Sequence, residues 1–196
     1  MKTRTTLATI IISLLISLSA FSQIGDSEVV SINASISATI YLNLETTPVV
    51  FDFTTLSDYQ NGISADKSAG TNATAGNVVS TTNWSMALVA QSEMIHVDGI
   101  STMSLDNVGV TVDFTGSNHV KNYAKNNPVA LASTETMILG QQGNQSNAGD
   151  ENANSFIIYW EMGTGEGNLK SETLLEQNLK HGTYNVDVAF VVSEII

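Results

Sequence analysis

The longest regular pattern in the chain is an alternation of apolar and polar residues that runs from Val30 to Leu44. The apolar positions of this run are Val30, Ile32, Ala34, Ile36, Ala38, Ile40, Leu42 and Leu44. A period of two is typical of a β-strand with one buried face, and this run is about three times the usual strand length of ~5 residues. We therefore predict a strand over residues 29–44.

Such a long strand fits two architectures. A strand that packs in its own domain must bend, because at ~3.3 Å per residue it would reach ~50 Å, well beyond a small domain. An arm donated to a neighbouring subunit would instead leave an apolar groove in its own subunit. We favour the intramolecular strand, paired with the last apolar strand of the chain, because that pairing leaves neither edge unfilled.

Shorter runs of Val, Ile, Thr and aromatic residues, separated by Gly and Asn, follow along the rest of the chain. This pattern predicts an all-β fold, a single two-layer antiparallel β-sandwich of about seven to nine strands. The further strands are predicted at 48–54, 82–91, 101–114, 131–139, 155–162 and 183–194. Long polar loops are predicted at 58–77 and 140–155, and residues 170–182 fit either a short helical turn or a bent edge strand.

The last of these strands shows the clearest alternation outside the first one. Its apolar face is formed by Tyr184, Val186, Val188, Phe190 and Val192. The sequence ends shortly after this strand, and we expect no covalent anchor at the C-terminal end.

The N-terminal residues have the pattern of a secretory signal peptide. Lys2 and Arg4 precede an apolar run, and Ala20 and Ser22 occupy the −3 and −1 positions of a cleavage site before Gln23. The apolar run is shorter than the ~20 residues of a membrane-spanning helix, and no stop-transfer charges follow it. We predict a signal peptide over residues 1–22, a single β-sandwich domain over 23–196, secretion to the cell surface or beyond, and no integral membrane insertion after cleavage.

The charge of the chain narrows the choice of partners. After removal of residues 1–22, five lysines remain against all 19 acidic residues, a net charge of −14. Nucleic acid and anionic membrane surfaces are therefore unsuitable partners. The sequence has no cysteine, so its stability must come from the core and not from disulfides.

The sequence lacks the usual signatures of catalysis. The three histidines, His96, His119 and His181, are far apart and have no metal-ligand spacing to other side chains. There is no nucleophile elbow, P-loop or dinucleotide fingerprint. We expect a protein that is not an enzyme and that has no cofactor.

One stretch partly fits a calcium loop. Asp150, Asn152, Asn154 and Glu161 fall at positions 1, 3, 5 and 12 of the EF-hand template, but Ser155 stands where that template needs glycine. A looser calcium site at Asp150, Asn152 and Asn154 is an alternative to a plain polar loop. Tyr41, Tyr59 and Tyr123 could similarly contact a glycan, whereas Trp84 and Trp160 lie in strand patterns and are expected in the core.

Two segments together resemble the WxL-type domain of bacterial cell-surface proteins. They are "NWSMALVA", which contains Trp84, and "GTYNVDVAFVV" near the end of the chain. The residues that match or occupy the motif positions are Trp84, Met86, Gly182, Tyr184, Val188, Phe190 and Val192. Met86 stands where the family has leucine, and Phe190 and Val192 replace its tryptophan and leucine.

The resemblance implies an Ig-like or pilin-like β-sandwich with no cofactor, attached non-covalently to other surface proteins or to an envelope polymer. The terminal strands are also similar to those of colonisation-factor type fimbrial subunits. We therefore expect a secreted, non-enzymatic bacterial cell-surface or extracellular-matrix protein. The alternatives are a fimbrial subunit that self-assembles by strand exchange and a glycan- or calcium-binding module.

Overall fold

The structure of the protein is a computed structural model that describes residues 31–45 and 48–195. Contacts between residues divide the chain into two units, 1–36 and 37–196. Of the first unit, residues 31–36 are described; they have no regular secondary structure and their side chains are exposed. The predicted signal peptide lies outside the described residues and stays a prediction.

Nearly all of the regular secondary structure described in the second unit is β-strand. Its strands are β1 (Ile40–Leu44), β2 (Ala73–Ser80), β3 (Trp84–Ala90), β4 (Met94–His96), β5 (Thr102–Met103), β6 (Val108–Phe114), β7 (Val120–Asn122), β8 (Val129–Ala130), β9 (Thr136–Gln141), β10 (Ser155–Met162), β11 (Tyr184–Asn185) and β12 (Val188–Glu194). A helix, α1 (Leu56–Asn61), and a 3-10 helix (Leu105–Asn107) complete the described elements. The prediction of an all-β fold is confirmed, although the structure has more strands than the seven to nine predicted.

The strands form three antiparallel sheets. A five-stranded sheet has the order β1-β2-β10-β6-β8, and a four-stranded sheet has the order β12-β3-β9-β7. A small third sheet has the order β11-β4-β5. Because β2 and β3 are consecutive but belong to different sheets, the chain crosses from one layer to the other between Ser80 and Trp84.

The two larger sheets share one hydrophobic core, which is the arrangement of a β-sandwich. The five-stranded sheet contributes alternate residues of its central strands, such as Val110, Val112, Phe156 and Ile158. The four-stranded sheet contributes others, such as Trp84, Met86 and Leu88. Alternation along each strand therefore places the apolar side chains between the sheets.

The predicted strand at 29–44 is wrong over most of its length. Only Ile40–Leu44 forms a strand, while residues 31–39 have no regular structure and residues 29–30 lie outside the described part. Its partner is also different from the one predicted: β1 pairs with β2, in the register Ile40↔Ser80 to Leu44↔Gly76, and not with the last strand of the chain. Alternation identifies the face of a strand that is buried, but it does not specify the strand with which it pairs.

Several other boundaries differ from the prediction. The 58–77 loop contains the end of α1 and the start of β2, and residues 48–54 alternate in burial without forming a strand. The 101–114 strand is divided by the 3-10 helix, and residues 170–182 contain turns and neither a helix nor a strand. The strand predicted at 155–162 is confirmed to the residue. It is β10, which lies inside the five-stranded sheet between β2 and β6.

The helix α1 begins with a capping box, which the loop prediction overlooked. Thr55 accepts a hydrogen bond from the Asp58 N–H, and the Asp58 carboxylate accepts one in return from the Thr55 N–H. This reciprocal pair satisfies two N–H groups that the first turn of a helix leaves unpaired.

Trp84, which the sequence places in the core, is fully buried and held by a polar contact with Asn147. The Trp84 N–H and indole Nε1–H donate to Asn147 Oδ1 and to the Asn147 carbonyl, at 3.0 and 2.8 Å. The Asn147 side-chain amide donates to the Trp84 carbonyl at 2.8 Å. Asn147 therefore fastens the long 142–154 loop to the first residue of β3.

This contact gives a test of the fold. We expect Asn147→Ala to lower the free energy of unfolding by about 3 kcal/mol, because buried polar groups of Trp84 lose their partners. The matched control is Asn144→Ala, an exposed asparagine in the same loop, for which we expect a change within about 0.5 kcal/mol. Urea unfolding of both variants measures the difference. Equal stabilities would show that Asn147 does not fasten the loop.

Candidate interaction site

The strand β12 lies at the edge of the four-stranded sheet and pairs on one side, with β3. The register runs from Val188↔Ala90 to Glu194↔Trp84 without a shift. Two hydrogen bonds extend this ladder at its ends: the Gln91 N–H donates to the Asp187 carbonyl at 2.8 Å, and the Ile195 N–H donates to the Asn83 carbonyl at 2.9 Å.

These two bonds determine which backbone groups of β12 are left over. In an antiparallel pair, alternate residues exchange hydrogen bonds with the partner strand. Because Asp187 and Ile195 are bonded towards β3, the odd-numbered residues of β12 point their N–H and C=O groups at β3. The even-numbered residues Val188, Phe190 and Val192 point theirs away from it. Among the described residues, no backbone group pairs with that outer side.

The same even-numbered residues turn their side chains towards the core. Tyr184, Val186, Val188, Phe190 and Val192 all pack against the buried cluster, which confirms the face predicted from the sequence. The Phe190 ring meets the Trp160 ring edge-on, with centroids 6.0 Å apart. These side chains remain half-buried because β12 is hydrogen-bonded to a strand on one side alone, while β1 of the other sheet comes near it without pairing.

A cavity of about 540 Å³ opens beside this edge. Most of its wall is apolar, with Phe51, Trp160, Tyr184, Val188 and Phe190 among the lining side chains, and Glu45 and Asp187 are the acidic residues at it. A volume in this range, with apolar walls and few polar groups, is typical of a binding pocket.

The other long edge, β1, has the same construction. The Thr81 N–H donates to the Thr39 carbonyl, and the Glu45 N–H donates to the Ala75 carbonyl. The odd-numbered residues of β1 are therefore bonded to β2, and Ile40, Leu42 and Leu44 direct their backbone groups outwards and their side chains to the core. β1 is shorter than β12, with five residues against seven.

Residues 31–38 form an exposed segment in which apolar and polar residues alternate, and we call it the arm. Ile32 and Ile36 are 89% and 92% exposed. They alternate with Ser31, Asn33, Ser35 and Ser37. Isolated exposed apolar residues are ordinary, but two isoleucines at strand spacing, in a segment with no strand partner within residues 31–45 and 48–195, have the pattern of a strand without its sheet.

A hydrogen-bonded cluster supports the wall of the cavity from the side of the small sheet. The buried His96 packs against the Tyr184 ring, with centroids 4.9 Å apart, and its Nε2 lies 3.0 Å from the His181 carbonyl oxygen. Gly182 has a φ of 137°, and a side chain there would collide with the His96 ring. Gly182, one of the residues of the WxL-type motif, therefore allows the chain to pass close to His96.

Asp98 holds this cluster together. Its carboxylate binds the Lys180 ammonium at 2.8 Å and accepts hydrogen bonds from the N–H groups of Ile100 and Ser101. The Lys180 ammonium first, and then these N–H groups, hold the pKa of Asp98 well below its ordinary value. Elsewhere, burial first and then the Glu166 carboxylate raise the pKa of Glu161.

The calcium candidates are already bonded to protein donors or exposed. Asp150 Oδ1 accepts a hydrogen bond from the Ala153 N–H, and Asn152 is exposed. Asn154 is fully buried, and its Oδ1 accepts a hydrogen bond from the Asn118 amide at 2.9 Å. Asp150 is therefore exposed to solvent, whereas Asn154 is buried, and the two do not form one site. No group of three or more acidic, histidine or cysteine side chains that could hold a metal occurs within residues 31–45 and 48–195.

The three candidate glycan-contacting tyrosines are not brought to one place. Tyr41 is on β1 of the five-stranded sheet, whereas Tyr123 follows β7 of the other sheet, under the Lys121 ammonium. Tyr59 is half-buried against Phe53. Trp84 and Trp160 are buried, which confirms their expected place in the core.

The open edge of β12 could not be located from the sequence. The alternation identifies the inward face of the last strand, but the absence of a second neighbour depends on which strands it pairs with. The sequence feature that points to an unfilled edge is the arm itself, because it alternates like a strand and contains no glycine, proline or charged residue.

The Asp98 cluster makes stability depend on pH. Because the folded state lowers the pKa of Asp98, the carboxylate stabilises the fold above its ordinary pKa of about 4, and this stabilisation is lost as the pH falls. Asp98→Asn should therefore be less stable than wild type at pH 7, by a margin that shrinks steadily below pH ~4. Melting temperatures at a series of pH values test this, with the exposed Asp52→Asn as control. A margin that does not change with pH would contradict the role of Asp98.

The motif residues of the resemblance lie on the paired strands β3 and β12, except for Gly182 in the turn before β11 and Tyr184 at the start of β11. In that pairing Met86 stands opposite Val192. Within the described residues, no helix is long and apolar enough to cross a membrane. Comparison of the chain with protein-family models and with curated proteins gives no significant match.

Proposed function

We propose that this protein is a secreted, non-enzymatic structural protein of the bacterial cell surface or extracellular matrix, and that it acts by assembling with other β-sandwich subunits. The observation that carries the proposal is the open edge of β12. There, outward-facing backbone groups, half-buried apolar side chains and an apolar cavity occur at the same residues.

An edge of this kind favours addition of another strand. Unpaired N–H and C=O groups along a regular strand are a template for pairing, and natural sheets usually protect them with charge, proline or bulges. Between Val188 and Val192 the strand has no charged residue, no proline and no register shift. An added strand would supply main-chain hydrogen bonds, while the cavity would receive its side chains.

The sequence supports the location of such an assembly. The signal-peptide pattern of residues 1–22 directs the chain out of the cytoplasm. The core must hold the domain without disulfides, and a sandwich with a single large core can do so at this chain length. The proposed function thus combines the expected surface protein with the fimbrial alternative: a surface subunit that assembles with copies of itself.

The proposal predicts that one backbone change on β12 blocks assembly with little effect on the fold. In Val192→Pro, the residue loses an N–H that points to the open edge, so the β3–β12 ladder keeps its hydrogen bonds. We expect sedimentation velocity to show concentration-dependent oligomers of the wild type and monomers of this variant.

The matched control is Val191→Pro, which stands opposite Ala87 and loses an N–H that points to β3. This control should lower the free energy of unfolding by about 1–3 kcal/mol, because the proline removes a ladder hydrogen bond and leaves its acceptor on β3 unpaired. Assembly by Val192→Pro at the wild-type level, or a wild type that stays monomeric at all concentrations, would refute the proposed function.

A further inference from the structure

We infer that the open edge of β12 is filled by the arm, residues 31–38, of a second copy of this chain. The inference rests on the proposed function and adds the identity of the bound strand, its direction and its register. Three observations carry it: the length of the arm, its periodicity and its lack of charge.

The arm and the edge have matching lengths. Eight residues of arm extend over ~26 Å, and the seven residues of β12 extend over ~23 Å. The arm is followed directly by Thr39, whose N–H donates to Thr81 Oγ1 and which therefore belongs to the sandwich. All of residues 31–38 are exposed, so the whole segment is available to pair with another chain.

The periodicity of the arm agrees with that of the edge. On the outer side of β12 the residues that exchange hydrogen bonds with an added strand are Val188, Phe190 and Val192, and directly opposed residues point to the same face of a sheet. An arm that pairs with its even-numbered residues opposite these three turns Ile32, Ala34 and Ile36 towards the core. Its serine and asparagine side chains then face solvent.

Size decides the register. With the arm antiparallel to β12, like every other pairing in the fold, Ala34 stands opposite the bulky Phe190. Ile32 then stands opposite Val192, and Ile36 stands opposite Val188 beside the cavity. A shift by two residues in one direction would place Ile32 opposite the charged Glu194. A shift in the other direction would crowd Ile32 against Phe190, whose ring already contacts Trp160.

Charge favours this segment over others. Two copies of the chain repel each other, because each carries a large excess of acidic residues. Residues 31–44 contain no charged side chain, so an arm can approach Asp187 and Glu194 at the ends of β12 without a like-charge contact.

The arm belongs to a second copy because the chain between the arm and β1 has no turn. A strand that doubled back beside its own sheet would need a tight turn near Thr39, where glycine, asparagine or aspartate is usual. Residues 34–42 contain none of these and no proline. The alternation instead runs without interruption from Ile32 through Ile36 into Ile40 and Leu42.

The cysteine-free chain allows a direct test. In the inferred register Ser35 stands opposite Ala189 on the solvent side, at a Cα separation suited to a disulfide. Ser35→Cys and Ala189→Cys are purified separately, mixed and oxidised mildly, and the disulfide-linked products are identified by mass spectrometry. We expect a mixed dimer as the main product, reduced at least tenfold when the arm also carries Ile36→Asn.

Controls separate the possible failures. Ile36→Cys mixed with Ala189→Cys should not cross-link, because Ile36 faces the core. If Ser35→Cys cross-links more strongly to Asn43→Cys than to Ala189→Cys, the arm binds β1. If the Ser35→Cys/Ala189→Cys double variant forms a disulfide within single chains at low concentration, the arm folds back onto its own subunit. Either result overturns the inference. Absence of any cross-link in protein that sediments as oligomers overturns the inference and leaves the proposed function standing, whereas absence of oligomers refutes both.

Discussion

The pairing of β12 with β3 imposes the constraint on which the rest of the molecule depends. Its register makes the same residues, Val188, Phe190 and Val192, face the core with their side chains and the open edge with their backbone groups. Core packing and edge recognition therefore cannot be adjusted independently at this strand. A charge placed inward to protect the edge, as many natural sheets do, would have to be buried beside Trp160 at considerable cost.

In this cysteine-free chain, side-chain amide hydrogen bonds hold the long loops to the rest of the sandwich. Asn147 fastens a long loop to Trp84, and Asn118 donates to the carbonyls of Asn147 and Ala148 and to the Asn154 side chain. At the 3-10 helix before β6, Asn107 and Gln177 exchange a reciprocal pair of amide hydrogen bonds. Among these amides Asn107 and Asn147 are fully buried and hydrogen-bonded. They favour one arrangement of the loops, because a displacement would leave their donors and acceptors unpaired.

The sequence predicts the fold class well because the apolar pattern reports on burial. β10 is a continuous apolar run in the middle of its sheet, and the alternation of β12 marks its inward face. The sequence predicts β1 poorly, because the same alternation occurs in residues 31–38, which are exposed, and in Ile40–Leu44, which are paired. Alternation describes what a segment can do when it meets a sheet and does not say where that sheet is. The same limit explains the missed strand β2, whose alanine and glycine residues carry little apolar pattern although Val78 is fully buried. Asn147 could not be found either, since one asparagine in a polar loop is indistinguishable from its neighbours until Trp84 is placed beside it.

The uninterrupted chain between the arm and β1 has a mechanical consequence. If subunits are joined through their arms, a force pulling two of them apart passes along the backbone from Ile36 through Thr39 into β1, with no glycine or proline between them to yield. The hydrogen bonds between β1 and β2 lie across the direction of pull. They are loaded in shear and must break together, which is the geometry in which a short antiparallel ladder resists tension best. A fibre built in this way would draw its tensile strength from the five residues Ile40–Leu44 and their partners on β2.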